Sequence, residues 1–255
     1  MFVSNFCSKE SRELVLGLLG TGLSDYEIAR RAGVSRGTIQ RWRRIGIPEP
    51  SEEIPVEIEP KSWTALVREK YAYLFGLYLG DGHISGRSHA LTITCDGKYP
   101  GIVASTVEAI GAFSPRAPRI YSVKNSGALR VTSSWKAWPL FFPQHGPGSK
   151  LDRKIELVEW QTEIVDEHPK AFIRGLIHSD GSRCLNTFTV QLKNGPKEYS
   201  YPRYFFTNYS TDIQAIFCRT CDQLGIRWSR PNWRNISVSH RHSVALLDEF
   251  VGPKK

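Results

Sequence analysis

No apolar run in this chain approaches the roughly 20 residues that span a bilayer. The best candidate, Tyr73 to Leu79, is interrupted by Gly76 and stops at Gly80-Asp81. Cysteine is scarce, five in 255 residues, too few to read as a disulfide framework in a chain of this size. The opening residues, Met1-Phe2-Val3-Ser4-Asn5-Phe6-Cys7, put no basic segment ahead of an apolar stretch, so no secretory leader is expected. These absences predict a cytoplasmic protein, nucleoid-associated if bacterial, with no membrane partner. Acidic residues are also short: 25 Asp and Glu against 34 Lys and Arg leave a net charge of +9. That imbalance favours a polyanionic partner, nucleic acid first, over a small-molecule substrate.

What is present begins with a basic helical unit over residues 1–47. A helix is expected from Lys9 to Leu19, with Leu14, Val15, Leu18 and Leu19 on one side. Ser24-x-x-Glu27 has the capping-box pattern that satisfies free amides at a helix start. From Glu27 to Arg44 the apolar positions Ile28, Ala32, Val34, Ile39 and Trp42, with small Ala29 and turn-forming Gly33, have helix-turn-helix spacing. The helix after Ser35 carries Arg36, Thr38, Gln40, Arg41, Arg43 and Arg44, groups able to reach base edges or phosphates from the major groove. An ordinary three-helix bundle with a solvated basic face is the plainer alternative. The unit resembles the DNA-binding units of site-specific recombinases and many bacterial regulators. Residues 48–62 follow as an acidic, proline-rich linker with no helical period, expected to be semi-extended.

Two related nine-residue runs dominate the remainder. Leu74-Phe75-Gly76-Leu77-Tyr78-Leu79-Gly80-Asp81-Gly82 and Ile173-Arg174-Gly175-Leu176-Ile177-His178-Ser179-Asp180-Gly181 share Gly at position three, a small residue at seven and a closing Asp-Gly. Their aspartates lie 99 residues apart, a half-domain spacing. Small residues four apart on one helix face let two backbones approach, which would bring Asp81 and Asp180 together. Asp at a helix C-terminus opposes the helix dipole, so its use twice argues for function over punctuation. Each run is followed by Thr-rich alternating segments (Leu91–Thr94; Asn186–Gln191), then a helix (Ile102–Gly111; Asp212–Gly225). A second hairpin follows, Arg119–Ser133 around Asn125-Ser126-Gly127, or Arg227–Ser239 around Pro231-Asn232. A short helix and a Gly-Pro segment then lead to lysine. The expected class is α+β: two pseudo-symmetric αββαββα repeats, 63–165 and 166–255, beside the small all-α unit.

The paired runs and the repeated order resemble a single-chain, two-repeat LAGLIDADG homing endonuclease over roughly Trp63 to Val251. The resemblance implies a monomer that saddles double-stranded DNA and cuts both strands with Mg²⁺ or Mn²⁺. The metal ligands implied are Asp81 and Asp180, with the preceding Gly80 and Ser179. It implies a basic residue beside each carboxylate: Lys150 in the first half, Lys254 or Lys255 in the second. The chain stops soon after Gly252-Pro253, which leaves the second lysine open. Asp96, and Asn208 or Ser210, are candidates for positioning water. Saddle residues are expected among Arg87, His89, Thr92, Thr94, Arg130 and Thr132 in the first half. The second half offers Arg183, Thr187, Thr189, Gln191, Lys193, Arg203, Arg227, Arg230 and Arg234; which strand face meets DNA depends on register.

Cys218-x-x-Cys221 with His240-x-His242 has the residue types of a zinc quartet. Superposing the two repeats places Cys218 on Ala104 and Cys221 on Val107, taken as buried-face positions, which favours core cysteine. Two other functions compete with the nuclease. One is a transcription regulator on a nuclease-like scaffold, similar to sporulation regulators that join this fold to a helix-turn-helix. The other is an intron-RNA maturase, disfavoured because A-form RNA has a major groove too narrow for a helix.

Overall fold

The computed structural model describes residues 9–47, 58–252 and 254. It divides into two units, residues 1–56 and 57–255. In the first, α1 (Lys9–Leu18), α2 (Asp25–Ala32) and α3 (Arg36–Ile45) surround Val15, Ile28, Ala29, Ala32, Ile39 and Trp42. The capping box forms: the Ser24 hydroxyl accepts the Glu27 amide, and the Glu27 carboxylate accepts the Ser24 amide at 3.1 Å. Gly33 closes α2 at φ 65°, in the left-handed region that glycine enters without strain. Leu14 is exposed, not packed with Val15 as expected, because α1 turns only one side to a core this small. The linker reading falls mostly on residues 48–57, outside the described residues. Its described end holds a short 3-10 turn, Pro60–Ser62.

The second unit is built twice. The first copy runs α4 (Ala65–Asp81), β1 (Gly82–Ile84), β2 (Ala90–Asp96), α5 (Pro100–Gly111), β3 (Arg119–Ser122), β4 (Ala128–Ser134), α6 (Trp138–Phe141). After α7 (Glu159–Glu167), the second runs α8 (Pro169–Asp180), β5 (Gly181–Leu192), β6 (Gly195–Thr207), α9 (Thr211–Gln223), β7 (Ser229–Asn232), β8 (Asn235–Val238), α10 (Arg241–Phe250). Each copy makes a four-stranded antiparallel sheet of identical order, β1-β2-β4-β3 and β5-β6-β8-β7. The expected αββαββα repeat is therefore present in both halves. One turn differs from expectation: Pro231 and Asn232 belong to β7, and the hairpin reverses at Trp233-Arg234. Proline is tolerated there because β7 is an edge strand.

Strand alternation sends Leu91, Ile93, Val131, Tyr204, Phe206, Ile236 and Val238 into the core, against the helices. In the first copy the core is aromatic: Trp63, Tyr71, Phe75, Phe113, Phe141 and Phe142 make ring contacts between 5.2 and 6.2 Å. α4 and α8 pack side by side through the small residues. A Cβ on Gly76 would strike the backbone of Phe172 and Leu176; one on Gly175 would strike that of Tyr73. Close approach therefore depends on glycine at both crossing points. Among the described residues no helix is long and apolar enough to cross a membrane.

Candidate active site and groove face

The glycine-mediated crossing places the ends of α4 and α8 together, with Asp81 and Asp180 as their last residues. A Cβ on Gly80 would overlap the Ser179 side chain and lie 3.1 Å from Asp180 Cγ. The two carboxylates therefore share one recess. A cleft of roughly 470 Å³ opens beside it, lined by Asp81, Asp96, Tyr99, His178, Ser179 and Lys254 among others.

Asp180 is held more firmly than Asp81. Asn208 Nδ2 donates to its Oδ2 at 2.6 Å. Asn208 is itself buried, and its Oδ1 accepts the Ser210 amide at 2.8 Å. Asn208, a candidate for positioning water, holds the Asp180 carboxylate. Ser210 is the N-cap of α9 and accepts from the Ile213 amide. Counted from the Asp-Gly of each motif, the two sheets match Ile93 to Phe206 and Val131 to Ile236, so the first copy has Cys95 where the second has Asn208. Asp96 lines the cleft, its Oδ1 accepting the Lys98 amide.

The electrostatics follow from this crowding. Desolvation, then the charge of Asp81, pushes the Asp180 carboxyl up to about 6, against the opposing pull of Asn208 and the two lysines. Asp81 is raised mainly by desolvation and drawn back by Lys150 and Lys254. Its side chain opens to solvent at the rim of the recess. Desolvation lowers Lys150 to about 8 despite both carboxylates, which leaves it charged at neutral pH.

Both lysines cap the motif helices. Lys150 Nζ donates to the carbonyls of Tyr78, Leu79 and Gly80 at 2.6, 2.9 and 2.7 Å, which takes all three of its donors. Lys254 Nζ donates to His178 and Ser179 carbonyls at 2.9 and 3.5 Å. Lys254 is therefore the second-half counterpart of Lys150; its competitor Lys255 lies outside the described residues. These bonds explain how a helix can end in aspartate: an ammonium offsets the negative end of each dipole. The Ser179 hydroxyl is spent on the carbonyls of Gly175 and Leu176.

Sequence reasoning missed His178 as a structural tie. Its Nδ1 meets the Tyr73 hydroxyl at 2.9 Å across the helix pair. Desolvation, with Arg174 and Lys254 nearby, drops it to about 4, so it is neutral at pH 7. The zinc quartet does not form: among the described residues no His, Cys, Asp and Glu cluster suits a metal in groups of three or more. Cys218 and Cys221 are buried in the core. Ala104, expected on a buried face, is exposed, and Val107 is only half-buried.

Register settles the groove face, the sheet side away from the helices. Thr92, Thr94, Arg130 and Thr132 lie on it, with Thr92 and Thr132 hydroxyls 3.1 Å apart. Arg203 lies on it in the second sheet. Arg183, Thr187, Thr189 and Gln191 alternate onto the opposite side, with core-facing Tyr204 opposite Arg183. Arg183 there makes a two-pronged ion pair with Asp248 of α10 at 2.7 and 2.9 Å. Arg230 likewise turns to Gln214 of α9. Arg87, His89, Lys193 and Arg234 sit in turns, and Arg227 precedes β7. Groove-face residues that sequence reasoning missed are His83, Arg119, Tyr121, Lys197, Tyr199 and Tyr201. In the first unit Arg36, Gln40, Arg41 and Arg44 are exposed. Thr38 is tied to Ser35, and Arg43 to Asp25 at 3.1 Å.

No family model matches the chain, and no curated protein does. Among solved structures, the N-terminal LAGLIDADG domain of DUF199/WhiA is similar at 11% identity and a TM-score of 0.47, over 80% of this chain and 86% of that one. I-DmoI in complex with DNA and Mn is similar at 17% identity and 0.46, over 73% and 97%. The I-LtrWI LAGLIDADG homing endonuclease bound to target DNA is similar at 11% and 0.47, over 73% and 85%. Full-length DUF199/WhiA from Thermatoga maritima is similar at 12% and 0.48, and the chain spans only 59% of its length. Likenesses this distant assign no family, and the functional reading rests on the geometry of the site itself.

Proposed function

We propose that the protein is a site-specific, divalent-metal-dependent endonuclease of double-stranded DNA, of the LAGLIDADG homing-endonuclease kind. The observation that carries this reading is the meeting of Asp81 and Asp180 at the end of a glycine-sealed helix pair, between two sheets with polar and cationic outer faces. The donor set suits a hard cation: two carboxylates, plus the carbonyls of Gly80 and Ser179, are oxygen ligands of the sort Mg²⁺ and Mn²⁺ take. Burial raises both carboxyls, and the charge of Asp81 raises Asp180 further, a cost that a bound cation offsets. When bound, such an ion lowers the pKa of water and stabilises a leaving oxygen. The chain's own residues do the rest. Asn208 fixes the direction of Asp180, and Lys150 and Lys254 supply positive charge beside the carboxylates. Thr92, Thr94, Arg130 and Arg203 face the duplex, and α3 adds a basic reading helix on the first unit.

One observation favours a second reading, a DNA-binding regulator without cleavage. The carbonyls of Gly80 and Ser179 already accept from Lys150 and Lys254, so the lysines neutralise the site without metal. The two readings part in one assay. A supercoiled plasmid carrying the locus that flanks the gene, incubated with protein and Mg²⁺, yields linear product that Asp81→Asn or Asp180→Asn abolishes. Tight specific binding that leaves the plasmid intact supports the regulator instead.

A further inference from the structure

The β5–β6 hairpin greatly outgrows its counterpart. β1 and β2 pair only from Gly82↔Ile93 to Ile84↔Leu91, whereas β5 and β6 pair from Gly181↔Phe206 to Leu192↔Gly195. β8 takes up Tyr204–Thr207. The rungs from Cys184↔Arg203 outward therefore stand free of the sheet as a two-stranded arm, roughly 30 Å long at strand spacing. An isolated ribbon is marginal in water without a packed face. This arm packs its own rings. Phe188 stacks on Tyr199 with centroids 5.7 Å apart, and Tyr201 lies 6.0 Å from Tyr199 and 6.2 Å from Phe188.

The three rings occupy the groove face, the side of Ser182, which lines the cleft beside Asp81. They remain open: Phe188 is 44% exposed and Tyr201 52%. Two cations share that face, Lys197 over the Tyr199 ring at 5.3 Å and Arg203 over Phe205 at 5.5 Å. Neither has an acidic partner among the described ion pairs. The combination narrows the occupant. A paired duplex hides its base faces and offers nothing to an aromatic stack. A second copy across a twofold axis would bring the same cation-bearing patch against itself. Unpaired nucleotides present flat bases and phosphates together, and stacking rings interleaved with cations are how proteins hold them.

We infer that the β5–β6 arm binds unpaired nucleotides, stacking bases on Phe188, Tyr199 and Tyr201 with phosphates against Lys197 and Arg203. This goes beyond duplex cleavage and survives its failure, since it needs neither Asp81 nor Asp180. The test is fluorescence anisotropy of a labelled 12-nucleotide oligothymidine with the full chain. Tyr199→Ala with Tyr201→Ala weakens binding by about tenfold or more, while Tyr199→Phe with Tyr201→Phe stays within about twofold because the ring faces remain. Binding of a blunt duplex from the flanking locus falls far less in the alanine variant than binding of oligothymidine does. Asp81→Asn with Asp180→Asn leaves oligothymidine binding intact, which separates this outcome from any loss of cleavage. Unaltered oligothymidine affinity in the alanine variant overturns the inference. So does an equal loss for the blunt duplex, or a dimer in sedimentation that the same variant dissociates.

Discussion

Asp81 and Asp180 occupy equivalent places in the two repeats, yet Asp180 has an amide holding it and Asp81 does not, because Cys95 stands where the second copy has Asn208. Asp180 ionises against a folded-state value of about 6, above its ordinary 3.8. Above pH 6 the carboxylate is charged in both folded and unfolded chains, and the folded state bears the full cost. Below pH 4 it is protonated in both, and the cost vanishes. Asp180→Asn should therefore raise the thermal midpoint at pH 7, by roughly 2–4 °C for a gain near 1 kcal/mol, and the gain should fade as pH drops from 6 to 4. Scanning calorimetry across that window checks it; an advantage that grows toward low pH would contradict the assignment. Asn208→Ala removes a charge-assisted bond and leaves the Ser210 amide short of its acceptor. Urea unfolding at pH 7 should show a loss of about 2 kcal/mol. The two aspartates were legible in the sequence because an unfavourable residue recurred at the same place. Asn208 was legible only as a polar residue near the site, since its contact with Asp180 spans 28 residues.

At the scale of elements, the motif helices were plain because small residues four apart have one structural use, close backbone approach. Gly76→Ala would push a methyl into the Phe172 carbonyl and the Leu176 amide, neither of which can swing away. A loss of about 3 kcal/mol or more is expected by denaturant melting, in line with overpacking of a tight core. Alanine at Gly86, which has open space around it, should cost far less. Strand facing was harder to read. Arg183 and Gln191 look like groove residues, but register turns them away. The missing signal was countable: the glycine of each Asp-Gly faces the core, so the groove face begins at the next residue, His83 or Ser182. The arm escaped notice because nothing in residues 184–203 marks where the third strand stops pairing.

At the scale of the molecule, two units each hold a core of their own. The first is small, and Trp42 fills much of it. Trp42→Ala should cost about 3–5 kcal/mol, enough to unfold that unit alone. Hydrogen exchange should then show loss of protection in residues 9–47 and none in α4 or α8; collapse of both units together would refute their independence. The same variant should weaken duplex binding and flatten its salt dependence, because the cations of α3 leave the interface. The doubled topology was legible from the repeated element order, and the resemblance offered Lys254 or Lys255 for the second half; the choice between them was not legible, as it depends on the chain returning to the end of α8. The whole construction converges on one claim, that the recess between the helix ends is a single cation site made by both repeats. Calorimetric titration of Mn²⁺ into the intact protein tests it most directly. The account predicts saturable binding that either Asp81→Asn or Asp180→Asn abolishes. Absence of binding, or binding unchanged in both variants, would contradict it and leave Lys150 and Lys254 as the site's permanent counter-charges.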